Sequence, residues 1–308
     1  MSVILFKESI SKANLAITIT SFVHRWVLCT RINTLRILAI RLNRLANNLN
    51  VHSENSKTKY LRYLVLLSSL LYIPIVICSA VTLHQIVPIL TYNYVISNPI
   101  TNTALIIAFA GTFVLYLMLP YNIFGLYYIV VCCTLQRMIN SLKYSLAQND
   151  LHNYNDIFTN YLAIRRFVAD MDKKLSFLML TSSLHNACVM YFGLTCWLHP
   201  KEYGGPFQRA SIWFLVPANY LPFFAVILSA CCVHEASSSM WNAGQELLKF
   251  GGAPTFPQIR LLYLTEKELT LSVWKIVPIK RSFLVATMGT IFTYCVLLDN
   301  LRWMSRDI

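Results

Sequence analysis

Charge is what this sequence has least of: Asp, Glu, Lys and Arg make up 13% of its 308 residues, against 56% hydrophobic residues. Soluble chains are about a quarter charged. With a mean hydropathy of +0.53, this balance excludes an ordinary soluble protein and points to a polytopic membrane one. Between 64 and 136 there is no Asp, Glu, Lys or Arg at all, a run too long for one pass of about 20 residues and right for two joined by a turn. Missing too are the spacings that carry chemistry. His24, His84, His185, His199 and His234 stand singly, with no His-x-x-His or Glu-x-x-His pair and no carboxylates at ligand spacing, so each reads as a structural residue and no metal is expected. Without a glycine-rich phosphate loop or a serine elbow, an enzyme is excluded and no cofactor is expected. The nine cysteines include no CxxC, and Cys132-Cys133 and Cys231-Cys232 lie inside apolar runs, where they read as small buried residues. The related halves and mid-depth ionisable groups of a secondary transporter are also not visible. No Asn-x-Ser/Thr site occurs to report orientation by glycosylation.

What is present is a series of apolar segments that run on into basic amphipathic ones. Passes are expected at about 10–30, 62–90, 104–135, 175–198, 211–234 and 282–301, with the cluster TYNYVISNPITNT and its Asn98-Pro99 step turning the chain between the second and third. Pro74, Pro88 and Pro120 fall inside these passes as kinks. Amphipathic helices are expected at about 31–50, 136–148, 157–174, 235–250 and 258–275. The first carries Ile32, Leu35, Leu38, Leu42, Leu45 and Leu49 on one face and Arg31, Arg36, Arg41 and Arg44 around the rest; the arginines read as a solvated face. The second carries Leu135, Met138, Ile139, Leu142 and Leu146, the third Ile157, Phe158, Tyr161, Ile164 and Val168, and the last Ile259, Leu262, Tyr263, Leu269 and Val273. The chain is thus expected to be all-α, one polytopic membrane bundle over 1–308.

The net charge of +13 sorts by loop, which makes it a topology signal and not a nucleic-acid surface. Segments 31–62, 135–174 and 235–281 hold seven, six and six Lys+Arg, whereas 91–103 has none and the tail after Leu301 has two. By the positive-inside rule the basic segments face the cytosol and the C-terminus lies outside.

The last pass, SFLVATMGTIFTYCVLLDNL, has one ionisable group, Asp299, and a small or polar stripe with Thr290, Thr293 and Asn300 in it. A helix with such a stripe needs something other than lipid on that side. Thr293-Tyr294, five further residues, then Asn300-Leu301 resembles the Thr-Tyr-(five)-Gln-Phe signature in the final helix of arthropod gustatory receptors, relatives of the insect odorant receptors. Asn300 and Leu301 stand where Gln and Phe are usual, and Asp299 where the family is apolar. The resemblance implies seven passes, so the first pass is expected to be missing from this sequence.

It further implies a tetrameric ligand-gated cation channel, homomeric or heteromeric, in the plasma membrane, with the last helix lining the pore and the cytosolic helices packed as an anchor. Carried over by position, Leu297 falls at the hydrophobic gate, Asn300 faces the outer pore, and Thr293 lies one turn deeper. Asp299 either draws cations at the outer mouth or faces a neighbouring helix. A small-molecule tastant is implied among the outer halves of the passes, which here offer His84, Gln85, Phe109, Phe113, Tyr116, Trp213, Tyr220 and Phe224; aromatics in such places are more often packing or interface residues. Membrane lipid is the other expected partner. Two alternatives stay open: a seven-pass receptor signalling through a cytosolic partner, against which the missing Asp-Arg-Tyr-like triplet counts, and an inactive truncated receptor fragment.

Overall fold

A computed structural model describes residues 2–49, 56–84, 99–147, 154–198, 205–250 and 255–304; within these, side chains such as those of 2–14, 79–84, 113–115 and 298–304 lie outside the description. Helices α1 (Ser2–Thr30) and α2 (Ile32–Asn48) are followed by α3 (Ser56–Leu70) and α4 (Tyr72–His84). Next come three long helices, α5 (Pro99–Ala147), α6 (Tyr154–Leu198) and α7 (Pro206–Phe250). A short helix α8 (Phe256–Glu266), a hairpin of β1 (Ser272–Val273) and β2 (Val277–Pro278), and the last helix α9 (Arg281–Met304) complete the described chain.

The three long helices carry the fold. At 49 residues, α5 is about 70 Å long, more than twice the hydrocarbon thickness of about 30 Å. It must therefore project well beyond the bilayer. Among the described residues α5, α6 and α7 are the helices long and apolar enough to cross a membrane, and each runs on without a break into the amphipathic stretch expected next to it. Pro120, Pro217 and Pro222 lie inside α5 and α7 without ending them.

Pro74 acts more strongly. It has no N–H for the Leu70 carbonyl, and its ring crowds that residue, so the expected single helix over 62–90 is divided: α3 ends at Leu70, Leu71 turns, and Pro74 sits in the first turn of α4. The break is stabilised laterally. The Asn122 amide of α5 donates to Ser69 Oγ at 3.2 Å and Tyr72 Oη at 3.3 Å, and the Tyr72 hydroxyl donates to the Ala218 carbonyl of α7.

The main core lies toward the basic end. Leu135, Met138, Ile139, Leu142 and Leu146 of α5 are all buried, against Ile157, Tyr161, Ile164 and Val168 of α6 and Val233, Ala236 and Met240 of α7. Leu38, Leu42 and Ala46 of α2 close one side. Two of the arginines in this stretch do more than meet solvent: Arg31, just before α2, donates to the Lys174 carbonyl at 2.8 Å, and Arg41 of α2 pairs with Asp170 at 3.1 Å. Not all cysteines are buried either, since Cys29 is exposed and Cys78, Cys188 and Cys232 are half-buried.

One expected element is corrected. The helix placed over 258–275 ends at Glu266, and its buried residues are Leu261, Leu264 and Thr265, while Ile259 and Tyr263 face outward. The beginning is local chemistry: Thr255 and Gln258 form a reciprocal capping box. The end is tertiary. Asp172 of α6 accepts from the Ser272 backbone N–H at 2.7 Å and from its hydroxyl at 2.8 Å, and the Trp274 N–H bonds to the Ser176 carbonyl. In the turn between the strands, Trp274 and Lys275 take φ of 48° and 60°, the positive values of a primed hairpin turn.

Candidate functional site

Most described side chains of the last helix are exposed. It touches the body through α6 and α7, and among its described side chains Ile291 is the buried one, with Phe283 and Leu284 half-buried against the main core. At 100° per residue, Leu284, Thr287 and Ile291 share the side that packs on the body. Ala286, Thr290, Thr293 and Leu297 share a stripe well over 90° away, and all four are exposed. Leu297 is 52% exposed. The Thr293 hydroxyl donates to the Gly289 carbonyl of its own helix at 2.9 Å, so Thr293 presents a methyl group and an oxygen atom, not a free donor. Tyr294 is exposed. Asn300 and Leu301 lie in α9, with side chains outside the described residues.

A third side of α9 walls an apolar cleft of about 580 Å³. Val285, Met288, Gly289 and Phe292, at helical spacing, form one wall. Met190, Leu194 and Trp197 of α6 and Val216 and Tyr220 of α7 form the other. The Tyr220 hydroxyl lies against the Met190 sulfur, and its ring leans on Phe223 and Phe224. The helices α6 and α7 approach closely beneath the cleft because Gly193 has no side chain; a Cβ there would collide with Val216. A space of this size and lining suits an apolar small molecule.

The structure gathers part of the expected ligand-binding set here. Tyr220 lines the cleft, Phe224 backs it, and Trp213 stacks on the cleft residue Trp197 with centroids 4.7 Å apart. Tyr116 is elsewhere, with the Arg25 guanidinium 2.9 Å from its ring centroid. His84 is the last residue of α4 and Phe113 lies within α5, but their side chains, with that of Phe109, lie outside the described residues, as does Gln85. Sequence reading missed the α9 wall and the α6 residues Met190 and Leu194. Their signal, small and apolar residues at spacings of three and four, is shared by every packed helix.

The base of α9 is anchored. Arg281 makes two contacts with the Glu235 carboxylate of α7, Nε to Oε1 at 2.6 Å and Nη2 to Oε2 at 3.0 Å. That hydrogen bonding, then the charge of Glu235, raises the guanidinium above its ordinary pKa. The linker before it is pinned as well. Ser237 Oγ takes the Leu269 N–H and meets the Tyr161 hydroxyl, both at 3.0 Å, and Arg165 donates to the Leu264 carbonyl. Among the described residues no group of three or more His, Cys, Asp or Glu is placed to hold a metal ion.

No family model matches the sequence, and no curated protein matches it. Among solved structures the chain is similar to the insect olfactory receptor OR5 from Machilis hrabei, with a TM-score of 0.66 at 14% identity over 96% of this chain and 87% of that one. It is likewise similar to that receptor in complex with eugenol, with a TM-score of 0.62 at 14% identity over 97% of this chain and 88% of the other. At such identity the likeness is one of fold. This chain is a polytopic helical membrane bundle with the fold of an insect olfactory receptor.

Proposed function

We propose that this chain is a chemosensory receptor of the gustatory type, working as a ligand-gated cation channel whose pore is lined by α9. The observation that carries the reading is that one helix has three distinct sides: one packed on the body, one walling an apolar cleft, and one small or polar and uncovered. Four copies placed with the uncovered sides inward form a tetramer around an axis, and the Leu297 side chains then make an apolar ring that closes the path by excluding water. Thr293, below it, and Asn300, toward the outer mouth, wet the conduit on either side.

A tastant of apolar character enters the cleft between α9 and the α6–α7 pair. Gating requires only that it fits the cleft better when α9 has moved, because a ligand shifts an equilibrium by its differential affinity for the two states. The Arg281–Glu235 pair and the hairpin hold the base of α9, so displacement at Met288 and Phe292 tilts the upper part and widens the ring at Leu297. The motif Thr293-Tyr294 with Asn300-Leu301 supports the gustatory type, and the basic segments support a C-terminus outside the cell. The test is to express the chain, apply small organic tastants and record current with G-protein signalling blocked. Cation current that persists under blockade is expected; responses that vanish under blockade, with no current of their own, identify a coupled seven-pass receptor instead.

A further inference from the structure

Helix α2 has two faces, and the core takes one of them. Leu38, Leu42 and Ala46 are buried in the main core. At 100° per residue, Arg36, Ile37, Ile40 and Arg44 lie on the opposite side, and all four are exposed. Ile32, at the start of the helix, is 63% exposed. The charge of this face is of one sign: no Asp or Glu occurs between Glu8 and Glu54, and among the described residues no ion pair joins Arg36 or Arg44 to a carboxylate.

Three bonds fix the level of this face. Arg31 donates to the Lys174 carbonyl at 2.8 Å, beside the expected start of a pass at 175. The Tyr127 hydroxyl, inside the pass expected over 104–135, donates to the Leu35 carbonyl at 3.1 Å. Arg41 pairs with Asp170, one turn before Lys174 on α6. From 31 to 41, α2 advances about 15 Å along its own axis, while its partners on α6 shift by about 6 Å. The helix therefore slants away from the long helices and keeps its first half beside the membrane boundary.

We propose that the outer face of α2 is a docking surface for anionic phospholipid in the leaflet that meets the basic extensions. Its isoleucines sit among the upper acyl carbons, and Arg36 and Arg44 take the phosphates. Arginine offers phosphate a planar fork of donors, and a basic helix with bulky apolar residues on the same side lies in an interface. An acidic protein surface matches the charge but not the isoleucines, which at this level have acyl chains for neighbours. The proposal requires that the chain spans a membrane with its basic ends toward the anionic leaflet, and not that it conducts.

The full chain is reconstituted in nanodiscs of phosphatidylcholine, or of an equimolar mixture with phosphatidylserine, and hydrogen exchange over 32–48 is followed by mass spectrometry. One arginine at an anionic surface contributes about fivefold in affinity and two about thirtyfold. Exchange is therefore expected to slow about tenfold or more in the mixed discs, and the effect to fade in high salt, which screens the attraction. Arg36→Gln combined with Arg44→Gln abolishes the difference between discs; both side chains are exposed, so the melting temperature stays. Ile37→Ser combined with Ile40→Ser keeps the charge and weakens the slowing. No difference between the two discs overturns the proposal, as does a difference that the double arginine variant keeps. Slowing in phosphatidylcholine discs on addition of inorganic phosphate overturns it in favour of a soluble anion. Slowing there on addition of polyglutamate, with none from phosphatidylserine, overturns it in favour of an acidic protein. Because exchange is read without current, failure here leaves the channel reading standing, and failure of the channel reading leaves this surface standing.

Discussion

Leu297 and Met288 share a helix but not a role: one is exposed on the small-residue side, the other walls the cleft. In the proposed pore, truncating the first, Leu297→Ala, removes the apolar ring, so a resting current without tastant is expected in whole-cell recording; a silent, normally gated variant contradicts the pore assignment. Filling the second space, Met288→Trp, is expected to reduce sensitivity to apolar tastants about tenfold or more in dose–response measurements, since one lost apolar contact of about 1–3 kcal/mol converts to that range. At this scale the sequence was partly readable. Leu135, Met138, Ile139, Leu142 and Leu146 could be assigned to a buried face from spacing alone, because period 3.6 directly encodes a side of a helix. The stacking of Tyr121 of α5 between His24 of α1 and His185 of α6 could not, because its members come from three helices and single-sequence spacing carries no information on which helices meet.

Among the elements, the segment from α8 to the hairpin shows how tertiary partners override local pattern. Leu269 and Val273 continue the apolar count of α8 and are buried, yet they are not helical: the Asp172 carboxylate and the Ser176 carbonyl draw the backbone of Ser272 and Trp274 into an extended hairpin instead. No feature of 258–275 taken alone announces that partner 100 residues earlier. Asp172→Ala leaves the Ser272 N–H and hydroxyl without their acceptor, which is expected to cost about 1–3 kcal/mol. A lower melting temperature, and faster hydrogen exchange confined to 267–281, would report it; unchanged exchange there means the hairpin is held by packing alone. Pro74 gives the opposite lesson. Its effect on the backbone was readable as a kink, and the break at Leu71 is the stronger form of the same loss of a hydrogen bond to Leu70.

For the whole molecule, the core is concentrated where the basic extensions of α5, α6 and α7 meet α2 and α8. Water drives apolar association there, whereas between lipid-embedded helices packing and hydrogen bonds must suffice. Native mass spectrometry of the purified protein is expected to give four chains per particle, and an epitope added after Ile308 is expected to be labelled on intact cells. A monomer, or a tag reached only after permeabilisation, contradicts the assembly or the orientation respectively. The bundle class was readable from composition because it needs only totals and run lengths; the arrangement of α9 on α6 and α7 was not, because it depends on which surfaces fit. That arrangement has a cellular corollary. On the proposed tetrameric reading, a newly made protomer still alone in the membrane turns Thr290 and Thr293 toward acyl chains, the type of mark by which unassembled subunits are retained and degraded, so abundance at the cell surface is expected to follow the number of completed rings and not the number of chains synthesised.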